Sequence, residues 1–384
     1  MRKFSLLFLF LGLNLFSSQK ILFDNTKAEM AGNADWVIDS DGGTAQRTPT
    51  PAQSGITSST SETYWKGALS AWGVDLVKTN PNYILETLPA SGKITYGDST
   101  NPQDLSNYKV YIVDEPNTKF TVAESNAIVN FVKNGGGLFM ISDHTISDRN
   151  NDGWDSPAIW NDLMSNNTVL SNPFGITFDL KNLSGTYTNI ANLPTNPVLH
   201  GTAGNPSMIM LSNGTSMTLN TAKNSSVQGL MFTTGTFGTT NALVSTATYG
   251  TGKVVALGDS SIPDDGTGNS GNTLYNGYTG DANGNHKPLL LNAVMWLASA
   301  SNLSLADVSA AELSAYPNPS SDFLNFKGSS VKNTEYVIVD ASGRTVAKSV
   351  TNGNQVDIRN LTNGVYTLML SVDGQTKSVR FIKN

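Results

Sequence analysis

Phe131-Val-Lys-Asn-Gly-Gly-Gly-Leu-Phe-Met-Ile-Ser-Asp-His144 is the run on which the architecture of this chain turns. Asn134-Gly135 closes a helix, and the glycine turn at Gly135–Gly137 leads into Leu138–Ile141. Those four apolar residues show no polar alternation, which suits a strand buried on both faces. The strand ends abruptly in Asp143 and His144, and Asp148, Asn150, Asp152 and Asp155 follow within eleven residues of the histidine. Charged and imidazole groups at the end of a core strand are costly to desolvate unless something pairs with them. A metal ion, a substrate, or both would do so.

The pattern repeats outward from this point. Ile21–Phe23 reads as a strand stopping at Asp24, Tyr108–Val113 as one stopping at Asp114 and Glu115, and Val254–Leu257 as one stopping at Asp259. A helix is expected from about Ser61 through Ala71, with a strand at Val74–Val77. Thr121 with Glu124 has the spacing of a capping box and opens a helix through Val132. Thr248–Lys253 reads as a hairpin turn, and Pro288–Ala298 as the closing apolar helix. Alternating strands and helices with continuous apolar strands predict an α/β fold with a mainly parallel sheet flanked by helices. Ligands bind such sheets beyond the carboxyl ends of the strands. Four strands ending in acids therefore predict one carboxylate-lined crevice, although aspartate is also a common turn and cap residue.

Composition narrows the function. The chain has 384 residues, a net charge of −6 and no cysteine. The acidic balance, without a Lys/Arg stripe, argues against nucleic-acid binding. Cysteine nucleophiles, thiolate zinc sites and disulfides are excluded. Arg2 and Lys3 precede the apolar run Phe4–Phe16, then Ser17, Ser18 and Gln19, which reads as a signal peptide over residues 1–18. No other run approaches the length of a transmembrane segment. A main domain is expected over 19–300, a linker over 301–314 and a small β-sandwich over 315–384.

The last 70 or so residues carry YPNPSSDFLNF, VIVDASGRTV, NLTNGVYTLML and VRFIKN. These resemble the type A C-terminal sorting domain of the type IX secretion system of Bacteroidota. The resemblance implies export across both membranes, contact with that secretion machinery, and release or surface attachment. The strand-Asp, helix, Gly-Gly-Gly, strand, Asp-His order over about residues 20–300 resembles class I glutamine amidotransferase-like domains of the ThuA kind. It implies that fold without amidotransferase activity, because the cysteine nucleophile is missing.

Several constellations could carry chemistry. Asp148-x-Asn150-x-Asp152-Gly153 matches the first half of an EF-hand or dockerin calcium loop, but position 12 is Ile159 rather than a bidentate glutamate. Asp155 or a distant carboxylate would complete the shell; a solvated Asx-turn loop is the alternative. Asp281-x-Asn283-x-Asn285-His286 is a second oxygen-rich loop, preceded by the carboxylate pair Asp264-Asp265. Two of the three histidines, His144 and His286, stand beside acids. With Asp143 and Asp259 they could bind a second divalent metal such as zinc, or act as a general base with its orienting carboxylate. Gly258-Asp259-Ser260 resembles the GDS block of SGNH-type esterases, with Ser260 as nucleophile. The partner Asp-x-x-His is absent, and Asp281 lies five residues before His286. The segment after the first strand places Lys27, Glu29, Asn33, Asp35 and Trp36 at the same edge, where Lys27, Glu29, Asp35 and Trp36 could contact substrate, as could Trp154.

The expectation is therefore a secreted, metal-dependent hydrolase acting on an extracellular polymer, a glycan above all. Asp143, His144, Asp259 and His286 would form the reactive centre. Asp148, Asn150, Asp152 and Asp155 would bind calcium, while Asp24, Asp264, Asp265, Asp281 and Asn283 would supply metal-ligand oxygens. The alternatives are a calcium-dependent glycan-binding or adhesion protein without turnover, and a serine esterase using Ser260.

Overall fold

The structure is a computed structural model that describes residues 18–235, 237–269, 275–281, 284–299, 314–327, 331, 334–340, 344–372 and 375–384. Nearly all of the expected signal peptide, the body of the expected linker, and Asn283 lie outside the described residues. The chain divides into two compact units, Met1–Ser301 and Asn302–Asn384.

The first unit contains β1 (Gln19–Asp24), α1 (Ser70–Thr79), β2 (Tyr83–Leu88), β3 (Val110–Asp114), α2 (Val122–Lys133), β4 (Gly137–Ile141) and α3 (Ser156–Ser165). It continues with β5 (Ile176–Phe178), β6 (Leu183–Tyr187), β7 (Asn189–Ile190), β8 (Ile209–Gly214), β9 (Met217–Leu219), β10 (Gln228–Phe232), β11 (Ala242–Tyr249) and β12 (Gly252–Leu257). The short α4 (Gly277–Gly280) and α5 (His286–Ala298) close it. The sheet runs β2-β1-β3-β4-β12-β11-β10-β7, with β9 beside β11 and β5 beside β9, while β6 and β8 form a separate ribbon. From β2 to β12 every pairing is parallel, and beyond β12 every pairing is antiparallel. The fold is thus α/β with a mostly parallel mixed sheet.

Strand alternation explains the layering. Ile21, Phe23, Val110, Ile112, Phe139, Ile141, Val255 and Leu257 face one core with α1 and α5. Leu22, Tyr111, Val113, Leu138, Met140, Val254 and Ala256 face the other with α2 and α3. Strands covered on both sides have no polar face, hence their unbroken apolar runs.

Two expectations need correction. Residues 61–69 form turns, and the expected strand Val74–Val77 lies inside α1. A four-residue apolar run does not distinguish a buried strand from a buried helix, and Trp72 and Leu76 pack at helical spacing into the core. The edge strand β2, paired in parallel with β1, stood in place of no expected element. By contrast, α2 begins where its capping box placed it: Thr121 Oγ1 accepts from Glu124 N–H and the Glu124 carboxylate accepts from Thr121 N–H.

The second unit holds β13 (Ser314–Tyr316), β14 (Phe323–Lys327), β15 (Glu335–Asp340), β16 (Thr345–Val350), β17 (Gln355–Asp357), β18 (Gly364–Val372) and β19 (Gln375–Lys383). Two antiparallel sheets, β13-β14-β17 and β16-β15-β18-β19, share a core of Leu324, Phe326, Ile338, Val356, Leu368 and Phe381.

Candidate active site at the carboxyl edge of the sheet

Register brings the acids together. Asp114 pairs with Ile141, and Ile141 with Leu257, so the acids one or two residues beyond these positions meet on one edge. Asp24 ends the neighbouring strand. All are buried: Asp24 and Asp114 are 2% exposed, Asp143 3%, and Glu115 and Asp259 0%. Gly258 permits the close packing that seals Asp259, since a Cβ there would lie 2.0 Å from the Thr215 carbonyl oxygen.

Glu115 is the hub. It sits just before Pro116 with φ of 48°, a left-handed conformation that costs a non-glycine residue about 1–3 kcal/mol and survives only where surrounding contacts enforce it. Its backbone N–H donates to the Ile141 carbonyl, and its own carbonyl accepts from Asn117 Nδ2. Its Oε2 accepts from Trp36 Nε1 at 2.6 Å and from Ser260 Oγ at 2.8 Å, and its Oε1 from Arg149 Nε at 2.5 Å. Arg149 also donates to Asn33 Oδ1 and reaches Asp143 Oδ2 at 3.5 Å. Asp143 Oδ2 in turn holds His144 Nδ1 at 3.0 Å. The His144 side chain is 17% exposed and that of Arg149 14%, so these two carry the cluster to solvent.

Desolvation dominates the electrostatics. It pushes the Asp143 carboxyl well above the usual carboxylate range; Glu115 and Asp259 add to the rise, and Arg149 opposes it. Asp259 is raised to about 7 by burial, against hydrogen bonds from Ser261 N–H, Ser261 Oγ and Ser212 N–H. Asp264 is also raised to about 7 by burial, although Gly266 and Tyr275 N–H groups donate to it. Asp114 is raised by burial and then by Glu115, Asp264 and Asp259, and neither of its oxygens has a hydrogen-bond partner. The same burial lowers His144, which favours the neutral imidazole.

Other expected site residues have different duties. His286 Nδ1 bonds the Gly277 carbonyl at 2.7 Å and its Nε2 accepts from Met210 N–H at 2.9 Å. Both ring nitrogens are thus engaged by main chain, and the expectation that His286 acts as a base is corrected: it is a tie between α5, α4 and β8. Asp281 accepts from Asn285 and His286 N–H at the start of α5. Asp265 accepts from Ala71 N–H in the first turn of α1. Asp155 caps α3 through Ala158 N–H, and also holds Thr145 Oγ1 and Ile146 N–H. Asp35 accepts from Asn269 and Ser40.

Asp24 accepts from Thr26 and Tyr111. Glu29 is buried beside it. Lys27 pairs with Glu124 at 2.7 Å, and Lys119 Nζ covers the Trp154 ring at 3.8 Å. In the 148–153 loop, Asp148 accepts from Asp152 and Gly153 N–H, Asn150 from Asp152 N–H, and Asp152 from Trp154 N–H. Among the described residues, no three His, Asp or Glu side chains stand where they could hold a metal ion. Ser260 donates to a carboxylate rather than a histidine and is 1% exposed.

Sequence reasoning passed over Glu115 as a working group and missed Arg149, while Asn33 was placed at this edge without a role. The available signal was that Arg149 is the one cationic residue in the polar run 143–155.

Comparison with known proteins concerns chiefly the C-terminal unit. Residues 314–384 match the secretion system C-terminal sorting domain. These residues are an export signal. The chain therefore travels by the type IX route to the cell surface or beyond, and meets that machinery through this segment. No helix among the described residues is long and apolar enough to cross a membrane. PorZ, a surface component of the type IX secretion system of Porphyromonas gingivalis, is similar at 21% identity over 20% of this chain and 12% of its own, with a TM-score of 0.17. The mmIFT52 N-terminal domain is similar at 14% identity over 73% of this chain and 98% of that one, TM-score 0.43. The cytoplasmic protein STM1381 of Salmonella typhimurium LT2 shows 16% identity over 73% and 97%, TM-score 0.38. These likenesses do not assign the main unit to a family. No curated protein matches the chain.

Proposed function

We propose that the main unit is an extracellular hydrolase in which His144 is the general base and Asp143 its orienting carboxylate. One observation carries this reading: His144 is the titratable group that brings the buried strand-edge cluster to solvent, with Nδ1 fixed by Asp143 at 3.0 Å. That bond, with a further hydrogen bond from the ring to the Asn213 main chain, orients the imidazole, and its unprotonated nitrogen would take a proton from an attacking water. In its ionised form, which Arg149 favours against the upward push of burial, Asp143 stabilises the imidazolium that forms. The lowered His144 keeps the ring neutral, and so competent as a base, at neutral pH.

The acid-rich edge disfavours anionic substrates, which suits the uncharged extracellular glycan expected from the sequence. The strand, helix, glycine turn and strand order supports an amidotransferase-like reading of the fold. No step is assigned to a metal, because the described acids do not stand as a ligand set.

The test is release of reducing ends from soluble uncharged polysaccharides by the mature protein. His144→Ala should lower turnover by about 10²–10⁴-fold with the melting temperature kept. The acidic limb of kcat/KM should fall with a midpoint below the ordinary histidine value of about 6.5. Wild-type protein without turnover, or His144→Ala as active as wild type, would refute the proposal. Loss of activity on chelation would replace the imidazole base by a metal-bound one.

A further inference from the structure

We propose that the cavity between α5 and the 197–204 loop is a carbohydrate-binding site, which holds a short stretch of an uncharged glycan away from the catalytic edge. Its use as an anchor for a polymer attacked at His144 rests on the proposed hydrolase function; the binding itself does not.

The loop is clamped to the helix by one side chain. Asn292 of α5 is buried; its Oδ1 accepts from Ala203 N–H at 3.0 Å, and its Nδ2 donates to the Val198 carbonyl at 3.2 Å and the Gly204 carbonyl at 2.8 Å. Gly201 permits the close approach, since a Cβ there would lie 2.2 Å from Asn292 Oδ1. Beside this clamp the cavity measures about 410 Å³. Small-molecule sites occupy roughly 300–1,000 Å³.

The lining selects the ligand class. Trp296 offers a half-buried indole, and Pro197 and Met295 add apolar surface. Among the described residues, no Asp, Glu, Lys or Arg lines the cavity. His200 and Thr202 stand exposed at its rim. The His200 imidazole and Trp296 Nε1 make no hydrogen bond among the described residues, and Thr202 Oγ1 has only Met295 Sδ at 3.5 Å. Lys253 is spent on bracing the indole: Nζ donates to the Trp296 carbonyl at 3.0 Å and the Ser299 carbonyl at 3.1 Å, 5.4 Å from the ring centroid. An aromatic face with uncommitted polar groups around it matches a pyranose, which presents C–H groups on its face and hydroxyls at its edge. A charged ligand would find no countercharge in the lining, and an aliphatic one would leave the polar rim unmet.

The cavity lies at the opposite end of α5 from the catalytic edge. The helix starts at His286, and Trp296 comes ten residues later, about 15 Å along the axis. There Gln19, at the start of β1, donates to the Ala298 carbonyl, and Lys253, at the start of β12, reaches Trp296. Asp143 and Asp259 follow the other ends of their strands. A sugar held here touches no catalytic group, so its contribution is to affinity for a long chain.

The experiment titrates the mature protein with cellohexaose, maltohexaose and mannohexaose by calorimetry, and follows acrylamide quenching of tryptophan in a Trp154→Phe background. Of the six tryptophans, Trp36, Trp65, Trp72 and Trp160 are at most 1% exposed, so the quenchable signal that remains is that of Trp296. At least one of the three sugars should bind and protect it. Trp296→Ala should weaken that binding about tenfold or more. His200→Ala should weaken it about two- to tenfold, the worth of one hydrogen bond. Thr202→Glu puts a charge into the cavity from an exposed position and should abolish binding with Tm kept, which preserves the test if Trp296→Ala does not fold. His144→Ala should bind as wild type does, so failure of the hydrolase reading stays distinguishable from failure of this one. No binding of any of the three sugars, unchanged affinity in Thr202→Glu, or binding lost in His144→Ala would overturn the proposal. A dimer in sedimentation that Thr202→Glu dissociates would also overturn it, by giving the cavity to a second copy of the chain.

Discussion

Arg149→Ala removes, among the described residues, the one cation that contacts both Glu115 and Asp143. Glu115 is 0% exposed and would keep its other donors, Trp36 and Ser260, but lose its countercharge. Breaking a buried ion pair from one side costs about 3–5 kcal/mol. The Arg149 side chain is 14% exposed, so water can enter the gap, which places the loss near the lower end, about 3 kcal/mol. For a unit of this size that is a fall in Tm of roughly 6–12 °C. The penalty also has a sign in pH. Asp143 is raised, so its protonated form dominates in acid and the local excess of negative charge shrinks. Urea unfolding at about pH 5 and pH 8 should therefore show the larger loss at pH 8. Arg149→Met keeps much of the volume and should cost nearly as much, while Glu115→Gln combined with Arg149→Met should recover part of it. A loss below about 1 kcal/mol, equal losses at both pH values, or no recovery in the double variant would refute the charge argument.

Two further outcomes follow from the loop beyond His144. If the 148–153 loop takes calcium as expected, saturating calcium at 100 times Kd should stabilise wild type by about 2.7 kcal/mol and Asp148→Ala not at all; no shift in wild type would leave the loop as an array of Asx turns. Ile146 is 83% exposed with φ of 65°, a strained place for a β-branched residue, so Ile146→Gly should stabilise the fold by about 0.5–1 kcal/mol in urea unfolding. A loss instead would show that the exposed side chain is packing.

What could be read from sequence was what is encoded locally. The capping box at Thr121 and Glu124 lies within four residues and formed as read. The acids after β1, β3, β4 and β12 were legible because each follows a continuous apolar run, and parallel pairing does the rest. Val74–Val77 was misread because apolar residues of a buried helix and of a buried strand look alike over one turn. His286 looked reactive because it stands near Asp281, but that carboxylate caps α5 through backbone N–H groups, a geometry that spacing alone does not reveal. Arg149 and Asn33 come from loops separated by 116 positions, and only tertiary docking makes them neighbours.

The proton inventory of the edge gives the functional reading its force. In water the carboxyls of this cluster would be ionised near neutrality, and imidazole would be partly protonated below it. Here the largest cause, removal from water, moves the two classes in opposite directions. Asp114 and Asp143 go up, Asp259 and Asp264 go to about 7, and His144 goes down. The carboxyls are thereby biased toward holding protons and the imidazole toward accepting one. An acid and a base whose proton affinities have been driven toward one another, as in Asp143 beside His144, suit acid–base catalysis at neutral pH. A purely structural use of these residues would be served better by apolar side chains of similar volume, which carry no desolvation cost. The left-handed Glu115 points the same way, because its strain and its buried charge are both sustained by contacts that converge on this edge.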